Sequence, residues 1–467
     1  MTLHLDHLTV THGERLLVEA GDLVLEPGRP VTLVGESGSG KSLLAHALMG
    51  TLPGTLTVRG RMTLDATAYD LGVPGNRRGL WGRDLALLPQ EPALALDPTM
   101  RVRGQVAEGV AGFRQRRREA HAVADDALAG LGLGHVSRAW AHTLSGGMAQ
   151  RVAYAAATVG GARLLIVDEP SKGLDRASLD RLADLLTAHV AGGGLLLTIT
   201  HDLGLARRLG GEVLVMRDAE VLERGPVDRV LTTPAHAYTR MLLEAEPERW
   251  NLLWMRGHAS DGERLVTASG VAKGYGVPLF EGLDLTIGAG ERWALTGPSG
   301  SGKTTLGNVL LGVTRPDAGT VVRAPALAGR AQKLYQDPAL SFPAKVPLGV
   351  ALDDVRRRHG VPASRLAGLV ERVGLGHDLL GRRAGEVSGG ELQRLAVVRA
   401  MVTDPLLLVA DEATSRLDLL TQRTTTDCLM EQVAETGCAL VLVTHDEALA
   451  AAVADRELVV GRAEVTV

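Results

Sequence analysis

Short apolar runs that end in turn residues recur along the chain and give the first indication of its fold. Examples are PVTLVG at residues 30–35, RLLIVDEP at 163–170 and GLLLTITHD at 194–202. Continuous apolar runs of this length are typical of strands that are buried on both faces of a parallel sheet. Stretches with helical periodicity separate these runs, so the pattern predicts α/β layers with mostly parallel sheets.

One region departs from this alternation of strands and helices. Residues 101–133 have helical periodicity without strand signals, so we predict a helical subdomain there. Within it, RQRRR at 114–118 is a basic run that suits either a solvated helix face or a contact with RNA. We interpret the run as a solvated face.

The chain repeats one series of five motifs, and the repeat has the length of a whole domain. The first copy reads GESGSGKS (35–42), LLPQEP (87–92), LSGGMAQR (144–151), LLIVDEPSKGLD (164–175) and TITHD (198–202). The second copy reads GPSGSGKT (297–304), LYQDP (334–338), VSGGELQR (387–394), LLVADEATSRLD (407–418) and LVTHD (442–446). We therefore predict a duplicated α/β domain, with residues 1–244 and 263–467 as the copies and the polar stretch 245–262 as their linker.

Length, composition and charge narrow the possible classes of protein. A chain of 467 residues is too long for one hydrophobic core. It has no run of about 18 apolar residues, which a membrane-spanning helix needs, and its first residues do not resemble a signal peptide. The formal net charge of −4 argues against a dedicated nucleic-acid binder, so no nucleic-acid partner is expected. Cys428 and Cys438 lack metal-ligand spacing and are interpreted as small buried residues in a reducing cytosol.

The first motif of each copy has the pattern of a phosphate-binding loop between a strand and a helix. Its glycines allow backbone N–H groups to turn towards phosphate oxygens, and the helix N-terminus adds positive potential. We expect Lys41 and Lys303 to reach the β- and γ-phosphates of a nucleotide, and Ser42 and Thr304 to ligate Mg²⁺. The glycines of the two loops are Gly35, Gly38, Gly40, Gly297, Gly300 and Gly302.

The fourth motif is an apolar strand that ends in two carboxylates. Asp168 and Asp411 lie nearer the strand and suit coordination of Mg²⁺, directly or through one of its ligands. Glu169 and Glu412 follow them and are predicted to polarise the water that attacks the nucleotide.

The second and fifth motifs supply further polar side chains. Gln90 and Gln336 are expected to touch Mg²⁺ or its bound water. His201 and His445 each end a strand, where an imidazole can bind the γ-phosphate or serve a structural role. Their recurrence in both copies favours the functional role.

The third motif opens an amphipathic helix in each copy. Ser145 and Ser388 stand at the helix starts, so their hydroxyls and the following amides form another phosphate-binding helix end. Each copy already has a phosphate loop on a different helix. A second phosphate-binding end is useful if it closes over a nucleotide that is held elsewhere.

Together these motifs resemble the ATP-binding cassette (ABC) ATPases over essentially the whole chain. The resemblance implies two tandem domains that bind ATP and Mg²⁺, each with a mostly parallel sheet, an antiparallel β part and a helical subdomain that carries the serine motif. It also implies a functional cassette dimer within one chain, in which each serine motif seals the nucleotide of the other copy. One site would combine Lys41, Ser42, Gln90, Asp168, Glu169 and His201 with Ser388, Gly389 and Gly390. The other would combine Lys303, Thr304, Gln336, Asp411, Glu412 and His445 with Ser145, Gly146 and Gly147.

The same resemblance assigns four more residues. Asp175 and Asp418 match aspartates that communicate between the two sites. Tyr275 matches the aromatic residue that stacks on adenine, whereas the first copy has His12 at that place. Because an imidazole stacks more weakly, the first site is expected to hold adenine less tightly.

Within the family, the first copy is similar to the ATPases of peptide and nickel importers, through PQEPALALDPTM (89–100) and PAHAYT (234–239). This similarity implies a cytoplasmic, membrane-peripheral importer subunit that works with a solute-binding protein and transports peptides or nickel–metallophore complexes. Two permeases would dock on the segments that follow Gln90 and Gln336. The apolar residues of these segments are Leu94, Leu96, Met100, Leu340 and Phe342. The second copy has no counterpart of PAHAYT, and its shorter interval from phosphate loop to glutamine motif predicts a trimmed hairpin.

Two alternatives share this chemistry. A soluble twin-cassette translation factor that acts on ribosomes would also carry two such domains, although its longer charged linker and basic character differ from this chain. An exporter ATPase would have the same motifs. No residue here distinguishes import from export, or peptide from nickel cargo.

Overall fold

The computed structural model describes residues 1–250, 263–461 and 465–466. The chain divides into two compact units, Met1–Leu243 and Glu244–Val467. Residues 251–262, most of the predicted linker, lie outside the described residues, so the predicted linker and domain boundaries stay a prediction. Pro247–Arg249 forms a 3-10 helix, and Trp250 is buried in the hydrophobic core of the second unit.

The first unit contains strands and helices in the alternation that the apolar runs predict. Its strands are β1 Leu3–His12, β2 Arg15–Ala20, β3 Leu23–Leu25, β4 Val31–Gly35, β5 Thr57–Leu64, β6 Thr67–Asp70, β7 Leu85–Leu88, β8 Leu164–Asp168, β9 Leu195–Ile199, β10 Glu212–Arg217 and β11 Glu220–Pro226. Its helices are α1 Lys41–Met49, α2 Pro92–Ala95, α3 Val102–Glu108, α4 Arg117–Gly130, α5 Gly146–Thr158, α6 Arg176–Ala191, α7 Leu203–Leu209, α8 Val227–Val230 and α9 Ala237–Glu244.

Two sheets form the core of the first unit. One has the strand order β11-β10-β4-β9-β8-β7, in which every neighbouring pair is parallel except β10 and β11. Each residue of β4, β8 and β9 is buried, because helices and the second sheet cover both faces of these strands. The other sheet is antiparallel, with the order β2-β1-β5-β6 and β3 paired to β1. One apolar cluster joins the two sheets across α1.

Helices α2–α5 form the predicted helical subdomain with a core of its own. The core consists of Leu96, Val102, Val106, Ala107, Ala120, Ala124, Leu128, Leu133, Ala141, Ala149, Val152 and Ala155. The basic run 114–118 lies at the start of α4 and is exposed, as the solvated-face interpretation expects. Within it, Arg116 pairs with Glu119 and the Arg117 guanidinium lies 5.6 Å from the Phe113 ring.

Within its described residues, the second unit repeats this plan with fewer strands. Its strands are β12 Arg264–Gly274, β13 Pro278–Gly288, β14 Arg292–Thr296, β15 Ala318–Arg323, β16 Ala331–Leu334, β17 Leu407–Asp411, β18 Ala439–Val443, β19 Arg456–Val459 and β20 Val465–Thr466. Its helices are α10 Lys303–Leu311, α11 Leu348–Arg358, α12 Ala363–Arg372, α13 Gly389–Met401, α14 Leu419–Thr436 and α15 Glu447–Val453.

The main sheet of the second unit has the order β16-β17-β18-β14-β19-β20 and is parallel up to its last pair. Its antiparallel sheet has the order β13-β12-β15. Where the first unit has the hairpin β5–β6, the described part of the second unit has β15 alone, as the shorter sequence interval predicts. The predicted fold class, two α/β units with mostly parallel main sheets, is confirmed.

Two sequence expectations about single features have clear outcomes. Across residues 1–250, 263–461 and 465–466, no helix is long and apolar enough to cross a membrane. Cys438 is buried as predicted, and burial raises its pKa to about 12. Cys428 is only half-buried, on α14, and burial raises its pKa as well.

Candidate active sites

The parallel strands bring four of the five motifs of each unit to one edge of the main sheet. In the first unit, β4, β7, β8 and β9 are neighbours or near neighbours, and each runs in the same direction. The phosphate loop follows β4, Gln90 follows β7, Asp168 ends β8 and His201 follows β9. Ligands of open α/β sheets bind at the carboxyl ends of the strands, so this edge is the candidate active site.

Each phosphate loop is held closed around its lysine. Lys41 Nζ donates hydrogen bonds to the carbonyl oxygens of Gly35 at 2.8 Å and Glu36 at 2.6 Å. Lys303 Nζ makes the equivalent bonds to Gly297 at 2.7 Å and Pro298 at 2.9 Å. Both lysines are buried at the first residue of their helix. The ammonium groups and the helix N-termini therefore place positive potential where phosphates would bind.

The last glycine of each loop lies against the antiparallel sheet. Gly40 has φ 99° and Gly302 has φ 96°, a region that favours glycine. A Cβ atom on Gly40 would stand 2.5 Å from the Leu17 carbonyl oxygen, and one on Gly302 would stand 2.9 Å from Leu279 Cβ. The hairpins β1–β2 and β12–β13 thus pack directly on the phosphate loops. The middle glycines, Gly38 and Gly300, also have positive φ.

The predicted metal ligands lie next to each other in both units. Ser42 Oγ donates to Asp168 Oδ1 at 3.1 Å, and Thr304 Oγ1 donates to Asp411 Oδ1 at 2.7 Å. A hydroxyl oxygen beside a carboxylate is the donor set that suits Mg²⁺, which in nucleotide sites takes its remaining ligands from phosphates and water. These residues therefore fit the ion. Burial, reinforced by the negative charge of Glu169, raises the pKa of Asp168.

The glutamate that follows each predicted metal ligand has a positive φ and lies beside a histidine. Glu169 has φ 47° and donates its N–H to the Ile199 carbonyl oxygen at 2.7 Å. Its carboxylate Oε2 lies 2.7 Å from Nδ1 of His201. Burial alone would raise the pKa of Glu169, but the His201 hydrogen bond and charge outweigh it, so the pKa is lowered. Burial likewise opposes the charged imidazole, yet Glu169 raises the pKa of His201.

The second unit has the same arrangement with a different hydrogen-bond pattern. Glu412 also has φ 47°, and its Oε1 lies 3.4 Å from Nδ1 of His445. Gln336 Nε2 donates to the other carboxylate oxygen at 2.7 Å. Burial raises the pKa of Glu412, but His445 outweighs this effect and the pKa is lowered. In the first unit Gln90 is exposed, and no hydrogen bond among the described residues joins it to Glu169.

The serine motifs are helix caps within their own units. Ser145 caps α5 and accepts a hydrogen bond from Met148 N at 3.3 Å. Ser388 caps α13 in a capping box, where Glu391 Oε2 accepts from both Ser388 N and Ser388 Oγ at 2.8 Å. Both serines are exposed, and the glycines that follow them (Gly146, Gly147, Gly389 and Gly390) open the two helices. Exposed helix N-termini of this kind suit an anion-binding role.

The aspartates assigned to communication are also helix caps. Asp175 caps α6 by accepting from Ser178 N at 2.8 Å, and Asp418 caps α14 by accepting from Thr421 N at 3.0 Å. In the first unit, the start of α6 lies close to the serine motif. A Cβ atom added to Gly147 of that motif would stand 2.7 Å from Ser178 Oγ. Each aspartate therefore stabilises the loop on which its own serine motif rests.

The two residues assigned to adenine stand at the tips of the hairpins. Tyr275 follows β12 and is 67% exposed, with Lys273 Nζ 5.2 Å from its ring. His12 is the last residue of β1 and is exposed as well. Both hairpins pack on the phosphate loops through Gly40 and Gly302. The assignment of Tyr275 and His12 to adenine stays a prediction.

Sequence reasoning missed two side chains that act on these sites. Tyr238, in the PAHAYT segment, is buried, and its hydroxyl accepts a hydrogen bond from Glu36 N of the first phosphate loop at 3.0 Å. Glu223 anchors the segment by accepting from Thr239 Oγ1 at 2.5 Å and Ala235 N at 2.8 Å. In the second unit, Lys333 Nζ lies 2.8 Å from Asp411 Oδ2. Tyr238 and Glu36 are too distant in sequence for a local pattern to pair them. Lys333 lies in a short strand whose sequence does not indicate its contact with Asp411.

The segments predicted to meet permeases are only partly exposed. Leu94 is 79% exposed and Leu340 is 70% exposed. Leu96 and Phe342, by contrast, are buried in the hydrophobic cores of their units. The expectation that all apolar residues of these segments face a partner is therefore wrong for Leu96 and Phe342. Each directly follows a short helix, α2 or the 3-10 helix Pro338–Ser341, and turns into the core, whereas the leucine within that helix stays in solvent.

Comparison with known proteins agrees with the chemistry of these sites. The family described as "ABC transporter" matches residues 18–172 and 280–415, once in each unit. The peptidoglycan transport ATP-binding protein YejF of Agrobacterium fabrum is 32% identical over 488 residues, which cover 94% of this chain and 87% of that protein. The glutathione import ATP-binding protein GsiA of Salmonella typhi is 30% identical over 506 residues, covering 93% of this chain and 80% of its own.

Solved structures share the fold of both units at low sequence identity. The structure titled RNase-L Inhibitor covers 93% of this chain and 84% of its own with a TM-score of 0.65 and 22% identity. The archaeal ribosome recycling factor aABCE1, in its complex with the stalk protein aP1, covers 94% of this chain and 84% of its own with a TM-score of 0.66 and the same identity. With two phosphate loops, two acidic strand ends and a family match in each unit, the chain belongs to the ABC transporter family and is an ATPase with two ATP-binding cassettes.

Proposed function

We propose that the chain is the ATP-hydrolysing subunit of an importer for peptides or for nickel–metallophore complexes. The observation that carries this proposal is the similarity, through both units, to ATP-binding proteins named for peptidoglycan transport and glutathione import. Glutathione is itself a short peptide, which favours peptides over nickel. The structural likeness to a ribosome recycling factor supports the fold alone, because the identity is 22%.

Each unit supplies the groups that the hydrolysis of ATP needs. Lys41 and Lys303 exchange their bonds to loop carbonyls for bonds to phosphate oxygens. Ser42 with Asp168, and Thr304 with Asp411, would hold Mg²⁺, which offsets phosphate charge when it is bound. The carboxylates of Glu169 and Glu412 orient the attacking water and accept its proton. His201 and His445 hold these carboxylates in place and offer an imidazole edge to the γ-phosphate.

We place the serine motif of each unit over the nucleotide on the phosphate loop of the other unit. The exposed, capped N-termini of α5 and α13 support this arrangement, since they offer backbone N–H groups to an anion. Ser388→Arg should then reduce occupancy of the nucleotide on Lys41 and leave the one on Lys303 mostly unchanged. Ser145→Arg should do the reverse. Site-resolved nucleotide photocrosslinking distinguishes the two, and loss at the phosphate loop of the mutated unit itself would refute the exchange.

The partners are two membrane permeases, with a solute-binding protein in the same system, and the chain binds at the cytoplasmic face of the membrane. Leu94 and Leu340 carry the docking proposal, because each is a large apolar side chain that the first and second unit respectively leave in solvent after the glutamine motif. Such residues suit a groove that receives a short helix. The two docking segments differ in sequence, so the permeases are expected to be different proteins.

Charged substitutions at the exposed leucines test this function. Leu94→Asp and Leu340→Asp should abolish recovery of the chain with permeases from membranes and abolish uptake, while ATP turnover of the isolated chain persists. Val73→Asp and Val313→Asp, at exposed valines away from these segments, are the matched controls and should change neither property. Undiminished permease recovery by the leucine variants, or sedimentation of the parent chain with ribosomes, would overturn the importer proposal.

A further inference from the structure

The second active site contains a cation, Lys333, beside its metal-side carboxylate, and the described residues of the first site have no cation at the equivalent position. Lys333 lies on β16 with its side chain 13% exposed. Its Nζ is 2.8 Å from Asp411 Oδ2 and donates to Asn308 Oδ1 at 2.9 Å. The same ammonium lies 5.3 Å from the centre of the Tyr335 ring. Asn308 and Tyr335 therefore hold Lys333 beside the Asp411 carboxylate that is proposed to serve Mg²⁺.

The strand registers identify the equivalent position in the first unit. Lys333 pairs with Val409, two residues before Asp411, and Leu87 pairs with Ile166, two residues before Asp168. Leu87 is partly buried against the apolar core of its unit. It brings no charge to Asp168, which accepts a hydrogen bond from Ser42 Oγ. The two metal-side carboxylates thus differ by one full positive charge at hydrogen-bond distance.

A carboxylate that is already paired with an ammonium has less negative charge to offer a divalent ion. The ion must either displace the ammonium or share the carboxylate with it, and two cations that share one carboxylate repel each other. Asn308 and Tyr335 oppose displacement because each also attracts the ammonium. The repulsion acts on the metal and not on the phosphate loop itself.

We infer that Lys333 competes with Mg²⁺ for Asp411, so that the second site binds the ion about tenfold more weakly than the first, the order that Coulomb repulsion gives at such separations in a water-like dielectric. In this role Lys333 sets the affinity of the second site for Mg²⁺. The consequence is that the two cassettes load Mg²⁺–nucleotide at different concentrations of free metal. The inference rests on the proposed use of Mg²⁺ at these sites.

The test measures metal binding directly, with Mn²⁺ as the probe and a non-hydrolysable ATP analogue present. Lys41→Ala leaves the second site as the one with an intact phosphate loop, and Lys303→Ala leaves the first. Electron paramagnetic resonance of free Mn²⁺ then gives the dissociation constant of each one-site chain. Adding Lys333→Leu to the second-site chain should tighten Mn²⁺ binding about tenfold, because leucine is the residue that the first unit carries there.

The reciprocal variant is the matched control. Leu87→Lys in the first-site chain should weaken Mn²⁺ binding about tenfold, and Lys333→Met gives a second neutral side chain of similar length. Thermal unfolding shows which variants are folded. If the Lys333 variants are not folded, the Leu87→Lys variant tests the inference on its own. Unchanged or weaker Mn²⁺ binding by the neutral variants would show that Lys333 only supports Asp411, which overturns the inference. Absence of nucleotide-dependent Mn²⁺ binding in both parent one-site chains would instead overturn the proposed function.

Discussion

Removing the bond between Glu169 and His201 should reveal the largest difference in activity between the two active sites. Its Nδ1 to Oε2 distance is 2.7 Å, and both side chains are largely buried. The counterpart between Glu412 and His445 spans 3.4 Å, and Gln336 gives Glu412 another donor at 2.7 Å. His201→Gln should therefore harm the first site more than His445→Gln harms the second.

The size of the difference follows from the hydrogen-bond geometry. A hydrogen bond to a charged group contributes about 1.5–3 kcal/mol, which corresponds to a loss of roughly ten- to hundredfold in turnover if Glu169 loses its orientation. The His445 contact lies at the outer limit of hydrogen bonding, and Gln336 remains to hold Glu412. We expect His445→Gln to cost about threefold.

Single-turnover ATP hydrolysis in chains with one intact phosphate loop measures this difference. Lys303→Ala isolates the chemistry on the first loop, and Lys41→Ala isolates that on the second. Nucleotide binding, measured separately, should fall less than turnover in either histidine variant, because Lys41 or Lys303 and the loop amides still hold the other phosphate oxygens. Equal losses of turnover in the two backgrounds would refute the reasoning from distance and alternative donors.

The same bond predicts a pH dependence of stability. The pKa of His201 is raised from 6.5, so its contribution is present below that value and is lost as the pH rises through the folded-state pKa. The pKa of Glu169 is lowered from 4.5, so its contribution is present above that value and is lost as the pH falls through the folded-state pKa. The gap in free energy of unfolding between parent and His201→Gln should therefore be widest at intermediate pH. A gap that is constant with pH would contradict the ion pair.

Three further substitutions test the roles of single side chains in turnover and nucleotide binding. Replacing Glu169 and Glu412 together by Gln should leave ATP binding intact and nearly abolish turnover; turnover at the parent rate would defeat their assignment. His12→Tyr should tighten nucleotide binding at the first site by an amount of the order of 1–3 kcal/mol, as stacking on aromatic rings does elsewhere, and unchanged affinity would mean that adenine stacks on another group. Tyr238→Phe removes the acceptor for Glu36 N and should lower nucleotide affinity at the first site severalfold. The control Tyr154→Phe loses a 3.2 Å bond to the Leu185 carbonyl and should lower stability alone. Equal nucleotide affinities of the two variants would show that Tyr238 does not support the phosphate loop.

The parts of the fold that the sequence could predict are those with local and repeated signals. The strands around 31–35, 164–168 and 195–199 are uniformly apolar and end in loop residues, so both the parallel sheet and the edge at which the motifs meet could be predicted. Duplication added a second test of each motif within the same chain.

The parts that could not be predicted depend on contacts across the fold. Lys333 stands in a short strand with the sequence AQKL, whose polar residues give no sign of the Asp411 carboxylate beside it. Tyr238 meets a backbone N–H 202 positions away. Leu94 and Leu96 differ in burial although both are leucines in one short segment, because Leu94 lies on the solvent side of α2 and Leu96 follows the helix in extended backbone that turns into the core.

Each phosphate loop depends on residues that are translated much later than the loop itself, and this delay sets the time at which the loop can bind nucleotide. The first phosphate loop follows β4, which pairs with β9 and β10, and the loop is completed by Tyr238, 202 residues after Glu36. At about 5–20 residues per second, roughly 10–40 s separate the synthesis of the loop from that of its last support. The second loop follows β14, which pairs with β18 and β19 and so awaits Arg456–Val459. A nascent chain should therefore complete its two phosphate loops in two steps, and the first loop can bind nucleotide before Ser388, which is proposed to seal it, has been translated.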